Sequence, residues 1–446
     1  MKLINKILLP ALIVVSTASC KKFLDNKPTG QISEDIALTS KDRIQRALTG
    51  AYSRLQVLEY YGAEWPNAVW LSDDNVTPFS AGTTDLQFDG HAVLSSSNTM
   101  EITWKAMYQA INAANNVISA VDVVEDPAMT DDDRKNLQGQ ALFIRALVYF
   151  DLVRTFGGVP LVLTPTRGLT DESFPARSTV EQVYTQVLKD LTDAEARLPE
   201  AVDRNIAHKK AAEALHARVA LYQGDWETAE DYATLLINSP DFSLVQPFEK
   251  IITEKNNSES IFELAYNITD GNALSGYFYP ATMGGFYRVG PTNELIAILQ
   301  DPAQAGNRSV LLGDLAGAPY GNRYRKADGG SNDDNYAVLR LAEMYLIRAE
   351  ARANQDNISD GADDLDEIRH RAGLGDTPAN TKETLLQAIE DERRIEFAFE
   401  PHRWFDLIRT GRAGDVLGVT DADKYVFPLP ASEILTNKKL VQNPNY

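Results

Sequence analysis

The sequence predicts an all-α fold, in which pairs of helices form the core and a long loop-rich insertion forms one face. Three observations support this prediction. Apolar residues recur every three or four positions over most of the chain, which is the helical period. The segments from Ala211 to Pro240 and from Arg340 to Ala372 have the length and pattern of a helix-pair repeat. Two other long segments lack that period and are dense in glycine, asparagine and aromatic residues.

The first residues have the features of a signal peptide. Lys2 and Lys6 precede an apolar run that is too short to cross a bilayer as a mature helix, and small residues then lead to Cys20. Cys20 is the only cysteine, so no disulfide forms within the chain. A lone cysteine here resembles the acylated cysteine of bacterial lipoproteins. We predict a signal peptide at 1–19, lipidation of Cys20 and a tether at 20–32; ordinary secretion with cleavage elsewhere is the alternative.

Residues 20–446 are predicted to form one domain, because no Ser-, Gly- or Pro-rich linker divides them. The helical core is expected at about 40–56, 100–240 and 340–412. One helix should begin at the acidic residues from Asp131 and end at Gly157. The segment 211–240 is similar to a tetratricopeptide helix pair with its turn at Gly224, and the copy at 340–372 turns near Asn354 to Asn357. Generic amphipathic helices without a stacked repeat are the alternative.

The stretch from Leu385 to Arg412 mixes charged and large apolar residues on every helical face, which predicts a buried helix with paired charges. Pro401 predicts a break, followed by a short helix from about His402 to Arg409. One interpretation is an acid–base site of Glu396, Glu400, His402 and Asp406. The other is a structural ion-pair network of Arg393, Glu396, Glu400, Arg403 and Asp406. The network is favoured, because each acid has a cation three or four residues away: Arg393 meets Glu396, Arg403 meets Glu400 and Arg409 meets Asp406.

Common catalytic motifs do not occur in the sequence. It has no HExxH, no phosphate-binding glycine loop, no dinucleotide fingerprint and no GxSxG, and its five histidines lack ligand spacing. Asp73-Asp74 and Asp333-Asp334 are conceivable glycosidase carboxylates, but such pairs are common in a chain of net charge −20. We therefore expect no enzyme activity, no metal and no cofactor. The acidic charge also argues against nucleic acid as a partner.

The two loop-rich segments, at about 60–98 and 256–340, form the expected ligand face. Loops this long are usually functional or disordered, and their aromatic content argues against disorder. Flat rings stack on the apolar faces of sugars, while neighbouring polar groups bond the hydroxyls. The predicted ligand-binding residues are Trp65, Trp70, Asp73, Tyr277, Tyr279, Tyr287 and Tyr320. For any single ring, packing within the loop core is the alternative.

Several motifs, in order along the chain, resemble the SusD/RagB family of surface glycan-binding lipoproteins. They are Cys20 followed by FLDNKPTG, then WKAMYQAINAANNVI, QALFIRALVYFDLVRTFGGVPLV, NNSESIFE, RLAEMYLIRAEA, ERRIEFAFEPHRWFDLIRTGR, FPLPASEI and the terminal QNPNY. The resemblance implies four tetratricopeptide-like helix pairs with a loop-rich ligand face. It also implies a lipid anchor in the outer membrane at the cell surface and a SusC-like, TonB-dependent transporter as partner. The expected function is capture of oligo- or polysaccharide and its delivery to that transporter; a peptide- or protein-binding tetratricopeptide-like scaffold is the alternative.

Overall fold

The computed structural model describes residues 38–79, 82–168, 174–325 and 332–446. The predicted signal peptide, Cys20 and the tether at 20–32 lie outside the described residues. The described helices are α1 (Lys41–Gln56), α2 (Glu64–Trp70), α3 (Thr83–Asp89), α4 (Asn98–Val123), α5 (Asp131–Phe156), α6 (Val180–Glu195), α7 (Lys209–Gln223), α8 (Trp226–Ile237), α9 (Lys250–Thr253), α10 (Leu274–Phe278), α11 (Asn293–Gln300), α12 (Leu341–Asn354), α13 (Ile358–Arg371), α14 (Lys382–Glu396), α15 (Arg403–Arg409), α16 (Ala413–Leu417) and α17 (Ala431–Thr436). The strands are β1 (Val76–Pro78), β2 (Ser260–Leu264), β3 (Val289–Pro291), β4 (Leu312–Leu315), β5 (Ala318–Gly321) and β6 (Tyr336–Arg340).

Four helix pairs stack side by side and form the core, so the predicted fold class is confirmed. The pairs are α1 with α4, α5 with α6, α7 with α8, and α12 with α13, and each packs against the next. α14 covers the last pair. In the described part of the chain, no helix combines the length and the apolar character that a membrane span requires.

Local sequence signals set the helix ends. The side chain of Thr130 accepts a bond from the backbone of Asp133, whose carboxylate accepts one from Thr130 in return, and this capping box begins α5. α5 runs to Phe156 and stops at Gly157, as predicted. Gly224 has a φ of 69°, a left-handed conformation that glycine adopts without steric cost, and it joins α7 to α8 at the predicted turn.

Two insertions interrupt the stack and meet on one face of the molecule. The first insertion (57–97) separates α1 from α4, and the second insertion (238–340) separates α8 from α12. β1 of the first pairs antiparallel with β3 of the second, in the register Thr77 opposite Gly290. β2 pairs with β6, and β4 with β5 forms a hairpin.

The insertions hold more regular structure than the sequence predicted. α2 and α3 lie in the first insertion, where the prediction was irregular loop, and α10 and α11 lie in the second. The reason is tertiary: six of the seven residues of α2, including Trp65 and Trp70, are buried. Burial of this apolar surface stabilises a short helix that its local sequence would not hold alone.

The C-terminal helices close the stack through buried ion pairs. α14 ends at Glu396 and α15 begins at Arg403, so the predicted break near Pro401 is confirmed. Arg340, at the end of β6, donates to Glu396 Oε1 at 2.5 Å, to Glu259 Oε1 at 2.9 Å and to Glu400 Oε1 at 3.1 Å. Arg340 is 3% exposed. The network therefore joins the second insertion, of which β6 is the last strand, to the C-terminal helices.

The partner of Arg393 differs from the sequence prediction. Local spacing paired Arg393 with Glu396, but its Nε donates to Asp406 Oδ2 at 2.9 Å and its Nη2 to Asp406 Oδ1 at 3.1 Å. The break after α14 folds α15 back against α14, which places Asp406 beside Arg393. The predicted pair between Asp406 and Arg409 is present at 2.9 Å.

The partner of Arg403 also differs. Spacing paired it with Glu400, but its guanidinium bonds Asp74 at 2.8 and 3.1 Å and Glu390 at 3.3 Å. Glu400 instead bonds Arg340 and, at 3.2 Å, Arg323. Asp74 belongs to the first insertion. Long-range pairing thus replaces the local pairs predicted for Arg393 and Arg403 and fixes the insertions to the C-terminal helices.

Candidate functional site

A half-buried arginine joins the two insertions. The Nε and Nη2 of Arg288 each donate to a carboxylate oxygen of Asp85 at 2.7 Å, and its Nη1 lies 3.2 Å from Glu64 Oε1. Its guanidinium also lies 4.7 Å from the ring centre of Tyr277, whose hydroxyl donates to Glu64 at 2.7 Å. Burial alone would lower the pKa of Arg288, but the bonds from Asp85 and the charge of Glu64 raise it above its usual value. Arg288 is therefore a saturated cation that fixes the insertions to each other.

Three aromatic residues of the insertions, Phe79, Phe286 and Tyr287, are called the aromatic patch; Phe79 lies against Tyr287, and the ring centre of Phe286 lies 6.4 Å from that of Tyr277. Phe79 is 41% exposed and Phe286 is 71% exposed, while Tyr287 is half-buried. The rings of Phe79 and Tyr287 have centres 4.7 Å apart at an angle of 48°. Phe79 comes from the first insertion and the other two rings come from the second. The patch thus exists only when both insertions are folded against each other.

The backbone holds the rings of the patch in place. The ring of Phe79 lies on Gly290, where an added Cβ would stand 2.0 Å from Cε2 of the ring. Tyr287 has a φ of 49°, which a residue with a side chain seldom adopts. Its N–H donates to the carbonyl of Tyr279 at 2.9 Å, and its hydroxyl donates to the carbonyl of Pro319 at 3.1 Å. Backbone strain held in this way is common at ligand sites.

Three predicted ligand residues from the first insertion are buried. Trp65 and Trp70 are fully buried, and the indole N–H of Trp65 donates to Thr155 Oγ1 at 3.0 Å. Asp73 is 8% exposed and accepts a bond from the backbone N–H of Asn75 at 2.7 Å. Burial raises the pKa of Asp73 well above its usual value, and the charge of Asp74 adds to this effect. The structure contradicts a ligand-facing position for these side chains, because they fill the space between the insertions and the helix stack.

The predicted tyrosines of the second insertion divide into one at the surface and three beneath it. Tyr277, Tyr279 and Tyr320 are buried, with Tyr279 edge-on to Tyr320 at 4.9 Å between ring centres. Tyr287 alone lies in the patch. Phe79 and Phe286 were not among the predicted residues, although both fall in the loop-rich segments. Gly284-Gly285 directly before Phe286 was the available signal, since paired glycines mark an exposed turn.

The four residues proposed as an acid–base site in the C-terminal stretch are all buried in the structure. Burial alone would raise the pKa of Glu396, but the charges of Arg371, Arg340 and Arg308 outweigh it and lower the pKa to about 2. Burial and neighbouring arginine charges hold the pKa of His402 well below its usual value. These groups are paired or enclosed, which favours a structural network. Among the described residues, no group of three or more His, Cys, Asp and Glu side chains could hold a metal ion.

The stacked helix pairs and the two joined insertions define a tetratricopeptide-like repeat protein with a separate insertion face. Comparison with known families gives two matches. Residues 22–221 match a model described as "Starch-binding associating with outer membrane", and residues 320–418 match the model of the SusD family. The chain belongs to the SusD/RagB family.

Individual relatives cover nearly the whole chain. SusD-like protein P2 of Formosa agariphila is 27% identical, over 95% of this chain and 96% of its own length. A SusD superfamily protein from Bacteroides thetaiotaomicron has a solved structure that superposes with a TM-score of 0.80 at 25% identity, over 91% of this chain and 100% of that chain. The solved structure of a laminarin-binding SusD-like protein gives a TM-score of 0.78 at 25% identity, over 91% and 99% of the two chains. These comparisons confirm the family and the fold that the sequence motifs predicted.

Proposed function

We propose that this chain is a non-catalytic glycan-binding lipoprotein, which captures oligo- or polysaccharide at the cell surface and delivers it to a TonB-dependent outer-membrane transporter. The aromatic patch is the observation that carries the proposal. Exposed apolar rings carry a free-energy cost in water, which a partner relieves by covering them, and exposed apolar surface is common at binding sites. A sugar has an apolar face that matches such rings, and its hydroxyls can bond the polar groups around them.

The ligand is proposed to be an uncharged glucan. The cation nearest the patch, Arg288, is already held by Asp85 and Glu64, so it offers little to an anionic sugar. The net charge of −20 also repels polyanions. Relatives point the same way: one matching family model is described as starch-binding and one solved relative as laminarin-binding, and both polymers are made of glucose.

Anchoring and delivery complete the proposal. Acylation of Cys20 would hold the domain at the outer membrane, where the matching family model describes association. A Cys20→Ser variant should leave the membrane fraction and appear in the soluble fraction, and mass spectrometry of the N-terminal peptide should lose the acyl mass. A transporter should copurify with the wild-type protein and with a Phe286→Ala variant alike, since the patch is proposed for sugar and not for docking.

Calorimetric titration tests the glycan site. Maltoheptaose and laminariheptaose are titrated into the wild-type protein, into Phe286→Ala and into Leu435→Ala, whose side chain on α17 is 69% exposed but lies outside the patch. We expect Phe286→Ala to weaken binding of the preferred glucan by about tenfold or more, as loss of an aromatic contact does. Leu435→Ala should bind as the wild type does, and no reducing ends should appear in any mixture.

Three results would contradict the proposal. The first is binding of neither glucan nor any other sugar in a panel, together with binding of peptides, which would favour a peptide-binding scaffold. The second is unchanged glucan affinity in Phe286→Ala. The third is release of reducing ends from a glucan, which would make the protein an enzyme.

A further inference from the structure

A cleft lies on the helical side of the molecule, away from the aromatic patch of the insertions. It has a volume of about 550 Å³ and lies between the turn that joins α7 to α8 and the helices α12, α14 and α15. We call it the Trp226 cleft, after the aromatic residue at its edge. Cavities of this size hold small ligands in other proteins.

Trp226 differs from every other tryptophan in the chain. The chain has five, and Trp65, Trp70, Trp104 and Trp404 are each at most 4% exposed and lie against other aromatic rings. Trp226 is half-buried, and within the described ranges no aromatic ring or cation stacks on it. Its indole lies across Gly224, where a side chain would stand 3.6 Å from Cζ2. Trp226 packs partly against the hydrophobic core, and its remaining surface at the edge of the cleft is suited to contact with a ligand.

Most charged groups of the cleft form ion pairs with one another, although, among the described residues, Arg393 Nη1 and Arg412 Nε are buried without a hydrogen-bond partner. Arg409 donates to Glu350 Oε2 at 2.8 Å and to Asp406 Oδ1 at 2.9 Å. Arg412 lies 3.3 Å from Glu390 Oε2. The walls carry four carboxylates and three guanidinium groups, so their sum is slightly negative. An anionic ligand would have to break these pairs, which makes it a poor match.

The polar groups that stay available are uncharged or solvent-facing. Across the described residues, no protein group bonds the indole N–H of Trp226 or the exposed amide of Gln223, and Glu383 makes no ion pair there. These groups together offer donors and acceptors beside an open ring. Sugar hydroxyls both donate and accept, and a sugar ring has an apolar face for the indole.

We propose that the Trp226 cleft is a second binding site for an uncharged saccharide, independent of the aromatic patch. The ligand class rests on the proposed glycan function, whereas the site itself rests on the cleft, the partly exposed indole and the ion pairs of the walls. Two separated sites on one protein raise the effective concentration of a long glucan, because binding at one end holds the other end close.

Tryptophan fluorescence isolates this site, because the aromatic patch contains no tryptophan. In the Phe286→Ala protein, which disables the patch, iodide should quench Trp226 far more than the four buried indoles. Saturation with maltoheptaose or laminariheptaose should then protect that fraction of the emission. Trp226→Phe should remove both the quenchable fraction and its protection.

Calorimetry with matched variants completes the test. In the Phe286→Ala background, Trp226→Ala and Gln223→Ala should each weaken the residual glucan binding, by about tenfold for the indole and by a smaller factor for the exposed amide. Gln223→Ala is the variant that should change binding without changing the fold, since the side chain of Gln223 is exposed. In the wild-type background, Trp226→Ala should leave binding at the patch intact.

The outcomes separate the two sites. If glucan protects no indole at millimolar concentration, and Phe286→Ala abolishes the glucan binding that the wild-type protein shows, the cleft inference is overturned and the patch stands. If Phe286→Ala binds normally and Trp226→Ala loses all binding, the patch fails and the cleft stands. Protection by a lysine-rich peptide in place of any sugar would overturn the saccharide assignment of the cleft.

Discussion

Charged groups near the C terminus are buried and paired, whereas apolar rings on the insertion face are left in water. Both arrangements are costly when taken alone. Arg340 and Glu396 lose their hydration on burial, which only close pairing offsets. Phe286 exposes most of its ring to solvent. The difference separates the two roles: removal of a group from the first region should unfold the protein, and removal from the second should leave the fold intact and weaken binding.

Arg340→Ala should give the largest effect. It leaves Glu259, Glu396 and Glu400 buried beside one another with too few cations, and breaking a buried pair costs about 3–5 kcal/mol. We expect a loss near the upper end of that range in urea unfolding, or failure to fold. Arg46→Ala, at an exposed position on α1, is the control and should change the free energy of unfolding by less than about 0.5 kcal/mol. A normal unfolding midpoint for Arg340→Ala would contradict the structural role of the network.

Trp70→Ala tests the same comparison on aromatic residues, because it removes a buried ring. Its ring is fully buried against Phe278 and Tyr324, so its loss creates a cavity that costs about 4 kcal/mol. Phe286→Ala, which truncates an exposed ring, should change the unfolding free energy by less than about 0.5 kcal/mol. Thermal unfolding of the two variants measures this contrast. Equal destabilisation would mean that exposure does not distinguish ligand rings from core rings here.

Low pH should also weaken the buried ion-pair network, with a smaller effect than the two substitutions above. Glu396 has an ordinary pKa of 4.5, and its arginine partners lower the folded-state value to about 2. A lowered folded-state pKa stabilises the protein above pH 4.5, and this contribution is lost as the pH falls towards 2. The loss for this group amounts to about 3 kcal/mol. Urea unfolding at a series of pH values measures it, and Glu396→Gln should show a shallower decline over the same window. An identical slope in the variant would show that Glu396 does not contribute to the acid response.

Gly290→Ala should give the smallest change in stability and a clear change in binding. The new methyl group would overlap the ring of Phe79, which must move away from its place beside Tyr287. Because the ring is partly exposed and able to rotate, the unfolding free energy should fall by less than about 1.5 kcal/mol. Glucan affinity should fall several-fold by calorimetry. Full affinity in this variant would show that the position of Phe79 is unimportant for binding.

The sequence predicted what local patterns determine. The bounds of α5, the turn at Gly224 and the break at Pro401 follow from capping residues, glycine and proline, which act over a few neighbours. Several of the family motifs lie in the same helical parts, so fold and family were both accessible. The repeat character of the core follows from the same periodic pattern.

Long-range packing explains what the sequence left open. Arg393 pairs with Asp406 because α15 folds back on α14, and helical spacing carries no information about that fold. Trp70 and Phe286 are both large apolar residues in irregular sequence, yet one is fully buried and the other is 71% exposed. Ring type alone does not report this difference, since it depends on how two insertions distant in sequence pack together.

Hydrogen exchange with and without a bound glucan tests the central claim most directly. Maltoheptaose or laminariheptaose, whichever binds, is added at saturation, and the exchange of backbone amides is compared by mass spectrometry. We expect protection around 76–79 and 284–290, where Phe79, Phe286 and Tyr287 lie, with separate protection near 223–226 at the Trp226 cleft. Protection confined to other surfaces, with the amides of the patch unchanged, would contradict the assignment of the aromatic patch as the glycan site.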